Sequence, residues 1–124
     1  MGKPCLILLG GTGWDARRRA TSVALTAAAF GHPVTLALTG DPLRAWVEGR
    51  FDEGAPELAA AARVGSLREM LEEARRDLGV DVVACETELR LAGIDPEAAR
   101  PSLDALRSLP DQWRTAGQGH VLAF

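Results

Sequence analysis

Cys85 is the residue whose type and setting most invite chemistry. It closes an apolar run, Val80 to Cys85, and the polar stretch Glu86-Thr87-Glu88 follows it. This pattern predicts a short buried strand ending in a thiol, with a helix opening directly after it and running to about Leu91. A thiol at the carboxyl end of a strand, beside a helix amino terminus, can serve as a nucleophilic thiolate or a persulfide carrier. Glu86 and Glu88 act against this, because neighbouring negative charge resists thiolate formation. A free cysteine in such a run can equally be a small buried hydrophobe.

The second candidate is the loop Gly10-Gly11-Thr12-Gly13-Trp14. Between a strand and a helix, its backbone N–H groups could cradle an anion. Gly11 to Ala16 fits the permissive form of the dinucleotide fingerprint, although Asp15 would face a pyrophosphate with like charge. No Lys-Ser/Thr follows, so it is not a phosphate loop of the Walker type. A tight turn without a ligand accounts for the same residues. Arg17-Arg18-Arg19 falls in the first helical turn, where each cation opposes the helix dipole at a cost of about a few tenths of a kcal/mol. A solvated face explains them most simply; an anionic ligand, a subunit contact or Asp15 could also offset the cost. Arg17 is nearest the loop. The ligand-binding candidates are therefore Gly10, Gly11, Thr12, Gly13, Trp14 and Arg17.

Other reactive side chains point to structure. Cys5 opens the first strand, and a rise of about 3.3 Å per residue puts it roughly 16 Å from that strand's far end. A Cys5–Cys85 disulfide needs α-carbons within about 7 Å, so Cys5 is read as core. His32 and His120 are isolated and show no metal-ligand spacing, and no Ser-His-Asp or Cys-His pairing is apparent. Trp14, Trp46 and Trp113 suit a core or an interface. No metal and no organic cofactor is expected.

These residues need elements to position them. Cys5 to Leu9 is a continuous apolar run closed by Gly10-Gly11, the pattern of a central parallel strand. Asp15 can cap a helix from Ala16 to about Phe30, with Ala20, Val23, Ala24, Ala27 and Ala28 at helical spacing and Gly31 ending it. Pro33 to Thr39 reads as a second strand. Asp41-Pro42 starts a short helix over Leu43 to Glu48, and Gly49 to Pro56 reads as a loop with Phe51 isolated in it. Glu57 to Ala62 suits one or two weak helical turns. Ser66 and Glu69 form a capping box for a helix that runs to Gly79. Helical turns are expected over Pro96 to Arg100 and Ser102 to Ser108, then a helix over Asp111 to Ala116 after Pro110. His120 to Phe124 is a last strand.

Alternating strands and helices predict an α/β class, a doubly wound and mainly parallel sheet with helices on both faces. The expected strand order is second, first, third, last. It would bring the glycine loop and Cys85 together at the crevice where the winding reverses.

Composition sets outer bounds. The chain has 124 residues, which suits a single domain over residues 1–124. Apolar residues make up 47% and charged residues 25%, an ordinary globular balance. The net charge of −3 lacks the basic surplus of a nucleic-acid binder. Thirteen of the 14 basic residues are Arg, and Asn and Tyr are absent, which fits a GC-rich coding bias. Two cysteines, no signal peptide and no apolar run near the ~20 residues of a membrane span point to a cytoplasmic protein. Met1-Gly2 begins like a myristoylation site, but Leu6 stands where Ser or Thr is required.

The chain resembles the DsrE/DsrF/TusD-like family of small α/β sulfur-relay proteins along nearly its whole length. The resemblance rests on the first strand with its glycine-led loop and Asp15, the segment AAFGHPVTLAL, the segment LGVDVVACETELRLAGI and the closing HVLAF. Its most specific part is Gly-Val-x-Val-x-x-Cys, Gly79 to Cys85, with Gly93-Ile94 eight residues on. The resemblance implies a homo- or hetero-oligomer such as a trimer or hexamer. It also implies that Cys85 accepts a persulfide sulfur from a donor protein and passes it to an acceptor. The expected function is thus a cytoplasmic sulfur carrier, possible sulfurtransferase chemistry on Cys85, with no nucleic acid and no membrane partner. Two rivals stand beside it: a non-catalytic module binding a small anion or nucleotide, and a structural subunit that exists to assemble.

Overall fold

Residues rich in Leu, Val and Ile, five to a run or fewer, become the strands of one parallel sheet: β1 (Cys5–Leu9), β2 (Val34–Leu38), β3 (Asp81–Ala84), β4 (Ala105–Leu106) and β5 (His120–Ala123). The computed structural model describes residues 2–124. Between the strands lie α1 (Trp14–Ala29), α2 (Gly40–Val47), α3 (Leu58–Ala61), α4 (Leu67–Asp77), α5 (Glu86–Leu91), α6 (Pro96–Ala99) with a 3-10 turn (Arg100–Ser102), and α7 (Leu109–Ala116). The doubly wound α/β class expected from the sequence is the one observed.

The strand order is β4-β3-β2-β1-β5, which corrects the expected order of second, first, third, last. β3 pairs with β2, Leu36 opposite Val82, and not with β1. The cause is the placement of the helices. α1 and α4 pack against each other, so both crossovers run over the same face. Right-handed crossovers on one face must keep stepping in one direction. Only α7 crosses the other face, and β5 accordingly returns to the far side of β1, with Leu6 opposite Val121.

The two faces are unequal. Ile7, Leu9, Leu36, Leu38 and Val82 meet α1, α2, α4 and α5 in the main core, where Leu36 and Val82 are fully buried. Leu6, Ala37 and Val83 meet chiefly Ala116 of α7 on the opposite face. The small residues Ala16, Ala20 and Ala24 let α1 lie close on the sheet. Phe51, expected in an open loop, is buried edge-on against Trp46 with ring centroids 5.2 Å apart.

Several boundaries move for identifiable reasons. α1 starts at Trp14 with Gly13 at its cap, not with Asp15 as cap, because Gly13 takes φ 88° and turns the chain there; Asp15 sits in the first turn. α2 begins at Gly40 after Thr39, three residues before the expected Leu43. The helix expected over Ser102 to Ser108 does not form: Ser102 ends the 3-10 turn and Ala105–Leu106 forms edge strand β4, because the Asp104 carboxylate accepts from the Val82 N–H at 2.7 Å and holds the segment alongside β3. Pro110 falls in the first turn of α7, which Ser108 caps by accepting from the Asp111 N–H. Ser66 caps α4 as expected, its hydroxyl accepting from the Glu69 N–H at 3.1 Å; the return bond from the Ser66 N–H to the Glu69 carboxylate is not made among the described residues.

Candidate functional site

Every strand points the same way, so all five carboxyl ends lie along one rim. Pairing of Ala37 with Val83 puts Thr39 level with Cys85, and pairing of Ala84 with Leu106 puts Arg107 on the other side. The Thr39 N–H donates to Leu9 and the Arg107 N–H to Ala84, at 3.0 and 2.9 Å. The rim therefore reads Phe124, Gly10, Thr39, Cys85, Arg107. Gly10 leaves room for Thr39: a methyl on it would lie 2.6 Å from the Thr39 hydroxyl, which would have to turn aside.

Cys85 stands one residue beyond β3, at the cap position of α5, with extended backbone (φ −82°, ψ 139°). It is half-buried and free. Its carbonyl accepts from the Leu89 N–H at 3.1 Å and so starts the helix. Alternation from Val83 directs its side chain to the face that α7 covers. Glu86, one of the acidic neighbours expected to oppose a thiolate, is paired with Arg90 at 2.8 Å. That pair is exposed and worth little in stability, yet it offsets charge beside the thiol. Cys5 lies at the other end of the sheet. It is buried at the amino end of β1, and burial pushes its thiol pKa upward.

The glycine loop lies on the same rim, but the expected convergence with Cys85 does not occur. β2 stands between β1 and β3, which separates the two by two strand spacings, about 9.5 Å. The Gly10 and Gly11 N–H groups both donate to the Phe124 carbonyl at 3.0 Å. Thr12 is exposed. Gly13, Trp14 and Arg17 instead line a polar cavity of about 480 Å³ on the face carrying α1 and α2.

Arg17 is only 6% exposed. Its Nε donates to the Phe51 carbonyl at 2.9 Å and Nη2 donates to the Glu53 carbonyl. Burial pulls its pKa down, and the nearby Glu53 and Asp52 carboxylates pull it back up. Arg18 is half-buried and Arg19 exposed, as a helix face demands.

The remaining sequence candidates fall elsewhere. His32 and His120 meet edge to face, 5.6 Å apart, at the amino end of the sheet, and His32 Nδ1 donates to the Lys3 carbonyl at 2.8 Å. Among the described residues no three His, Cys, Asp or Glu gather as a metal site. Trp46 is core, and Trp113 is exposed on α7. Thr39, Arg107, Arg44 and Arg50 were not singled out from sequence. Only Thr39, last residue of an apolar run, carried a signal that could have marked it. No described helix is long and apolar enough to cross a membrane.

No protein-family model matches the chain, and no curated protein sequence matches it. Among solved structures it is similar to the crystal structure of the YchN protein from E. coli. The two share 19% identity and a TM-score of 0.64 over 98% of this chain and 99% of that one. At that identity the likeness concerns fold, and the fold it supports is DsrE-like.

Proposed function

We propose that this protein is a sulfur carrier that holds a persulfide on Cys85 and passes it to a partner. The observation that carries the reading is the contrast between its two thiols. Cys85 is half-buried on the carboxyl rim at the start of α5, whereas Cys5 is 4% exposed at the floor of a groove beside α1 at the other end of the sheet. The DsrE-like fold is compatible with sulfur relay and supports it no further.

The chemistry needs no cofactor. The Cys85 thiolate attacks the outer sulfur of a donor persulfide R–S–S⁻. A bond forms between Sγ and that sulfur, the donor S–S bond breaks, and the donor leaves as a thiolate. An acceptor thiolate then attacks the outer sulfur of Cys85–S–S⁻, and the Cys85 thiolate is released. Two thiol–persulfide exchanges leave no net oxidation or reduction. The amino-terminal end of α5 supplies positive potential for the anions along this path. Donor and acceptor are proteins with accessible thiols.

Self-association belongs to the same proposal. Phe30, Val23, Ala27 and Leu122 form an apolar groove of about 410 Å³ between α1 and edge strand β5. Phe30 is 79% exposed there, a surface suited to a second copy.

The test is intact-mass spectrometry of wild type and Cys85→Ala after incubation with a sulfane-sulfur donor. A gain of one sulfur that a reductant removes, absent in the variant, supports the carrier. An unmodified wild type would sink it.

A further inference from the structure

We infer that the cavity between α1 and α2 is a binding site for a small molecule carrying one oxyanionic head group, and that Arg17 is its anchor. Charge burial is the starting point. Arg17 as a residue is 6% exposed, and a charge drawn that far into the protein is costly unless it is paired. Arg17 forms no salt bridge among the described residues, and its hydrogen bonds go to two main-chain carbonyls, those of Phe51 and Glu53. Nη1 makes no hydrogen bond to the described residues, and Arg17 lines the cavity. The carboxylates in its neighbourhood are already engaged. Asp52 accepts from the Ser66 hydroxyl and the Leu67 N–H at the head of α4. Glu53 pairs with Arg50, and Asp41 lies 3.7 Å from Arg44.

A second set of donors meets Arg17 in the same cavity. α1 runs for 16 residues, and its cap residue, Gly13, offers no side chain to its first-turn N–H groups. That end of the helix is a ready anion site, and Gly13 lines the cavity. Arg44 and Arg50 stand at the mouth. Three guanidiniums line the cavity with two carboxylates, Asp41 and Glu53, while Glu48 also pairs with Arg50 and Asp15 stands in the first turn of α1, so an anion is held by direct bonds from Arg17 and the α1 N–H groups and not by a net positive field. Asp41 and Glu53 would accept from hydroxyl or amino groups on the rest of the ligand. The cavity, about 480 Å³, is the size of a metabolite site. Cys85 is not among the residues that line this cavity.

Inorganic phosphate is the probe, titrated at constant ionic strength against chloride by calorimetry and by backbone amide NMR. The protein carries Cys85→Ala throughout, so that sulfur chemistry plays no part in the outcome. Phosphate is expected to bind with a Kd of about 1–10 mM and to shift the amides of Gly13 to Ala16. Arg17→Gln should weaken it about tenfold or more, and Arg44→Gln, at the partly exposed mouth, by a few-fold without disturbing the fold. Absence of binding in that range would overturn the site. So would shifts confined to the Cys85 rim, or Arg17→Gln and Arg44→Gln proteins that are both folded and bind phosphate as well as their parent.

Discussion

Arg75 and Asp104 meet fork to fork, Nε to Oδ2 at 3.0 Å and Nη2 to Oδ1 at 2.9 Å, and so fasten α4 to edge strand β4. The same carboxylate accepts from the Val82 N–H at 2.7 Å. Burial pushes the Asp104 carboxyl upward, but Arg75 and the Val82 N–H together outweigh it and hold its pKa below 3.8. A depressed carboxylate stabilises the fold above its unfolded pKa, and that contribution is lost as pH falls through the lower folded value. Asp104→Ala should cost about 2 kcal/mol at neutral pH. The gap to wild type should close as pH drops below about 3.8, as urea titrations at a series of pH values would record. A gap that persists at low pH would mean that packing, not charge, holds β4.

The two thiols should separate in alkylation. Cys85 is half-buried on the rim and Cys5 is 4% exposed. One iodoacetamide adduct is expected under native conditions, on Cys85, with Cys5 reacting only on unfolding. Peptide mapping of the first adduct decides the matter.

Gly10 owes its identity to Thr39. Gly10→Ala places a methyl 2.6 Å from the Thr39 hydroxyl and should cost about 1–3 kcal/mol. Removing that hydroxyl with Thr39→Ala in the same chain should recover most of the loss. A double-mutant cycle in denaturant measures the coupling, and simple additivity would refute the clash.

Thr21 lies fully buried in α1, and its hydroxyl has no hydrogen-bond partner among the described residues. Thr21→Val keeps the shape and removes an unsatisfied polar atom, so it should raise stability by about 1 kcal/mol. A lower midpoint of thermal unfolding would show that the hydroxyl is satisfied after all.

Legibility in the sequence followed locality. α4 was readable because Ser66, Glu69 and the spacing of Leu67, Leu71 and Ala74 all lie within a few turns. Burial of Cys5 was readable from its place in an unbroken apolar run. Strand order was not, since the choice between β1 and β2 as neighbour of β3 depends on which face α4 occupies. The segment Leu103 to Leu106 carries helical spacing, yet the Asp104 bonds with Arg75 and Val82 make it a strand. Phe51 looked isolated because its partners, Trp46 and Arg17, lie in other elements. At the candidate site, Cys85 was visible at the end of its strand. Its neighbours Thr39 and Arg107 depend on the pairing register and could not be seen.

The place of β5 bears on how the chain is made. β1 has β2 on one side and β5 on the other, and His120 pairs with Cys5 across 115 positions of sequence. During synthesis β1 and β2 can associate early, but the other edge of β1 stays bare until residue 123 has left the ribosome. An unpaired apolar edge is a template for the wrong strand, from the same chain or another. Long-range parallel pairing is also slow, because the intervening chain must close into a loop before the two strands can bond. The nascent protein therefore passes through a stage in which β1, a strand destined for the core, shows an unpaired edge, and chaperone demand should fall once β5 has docked.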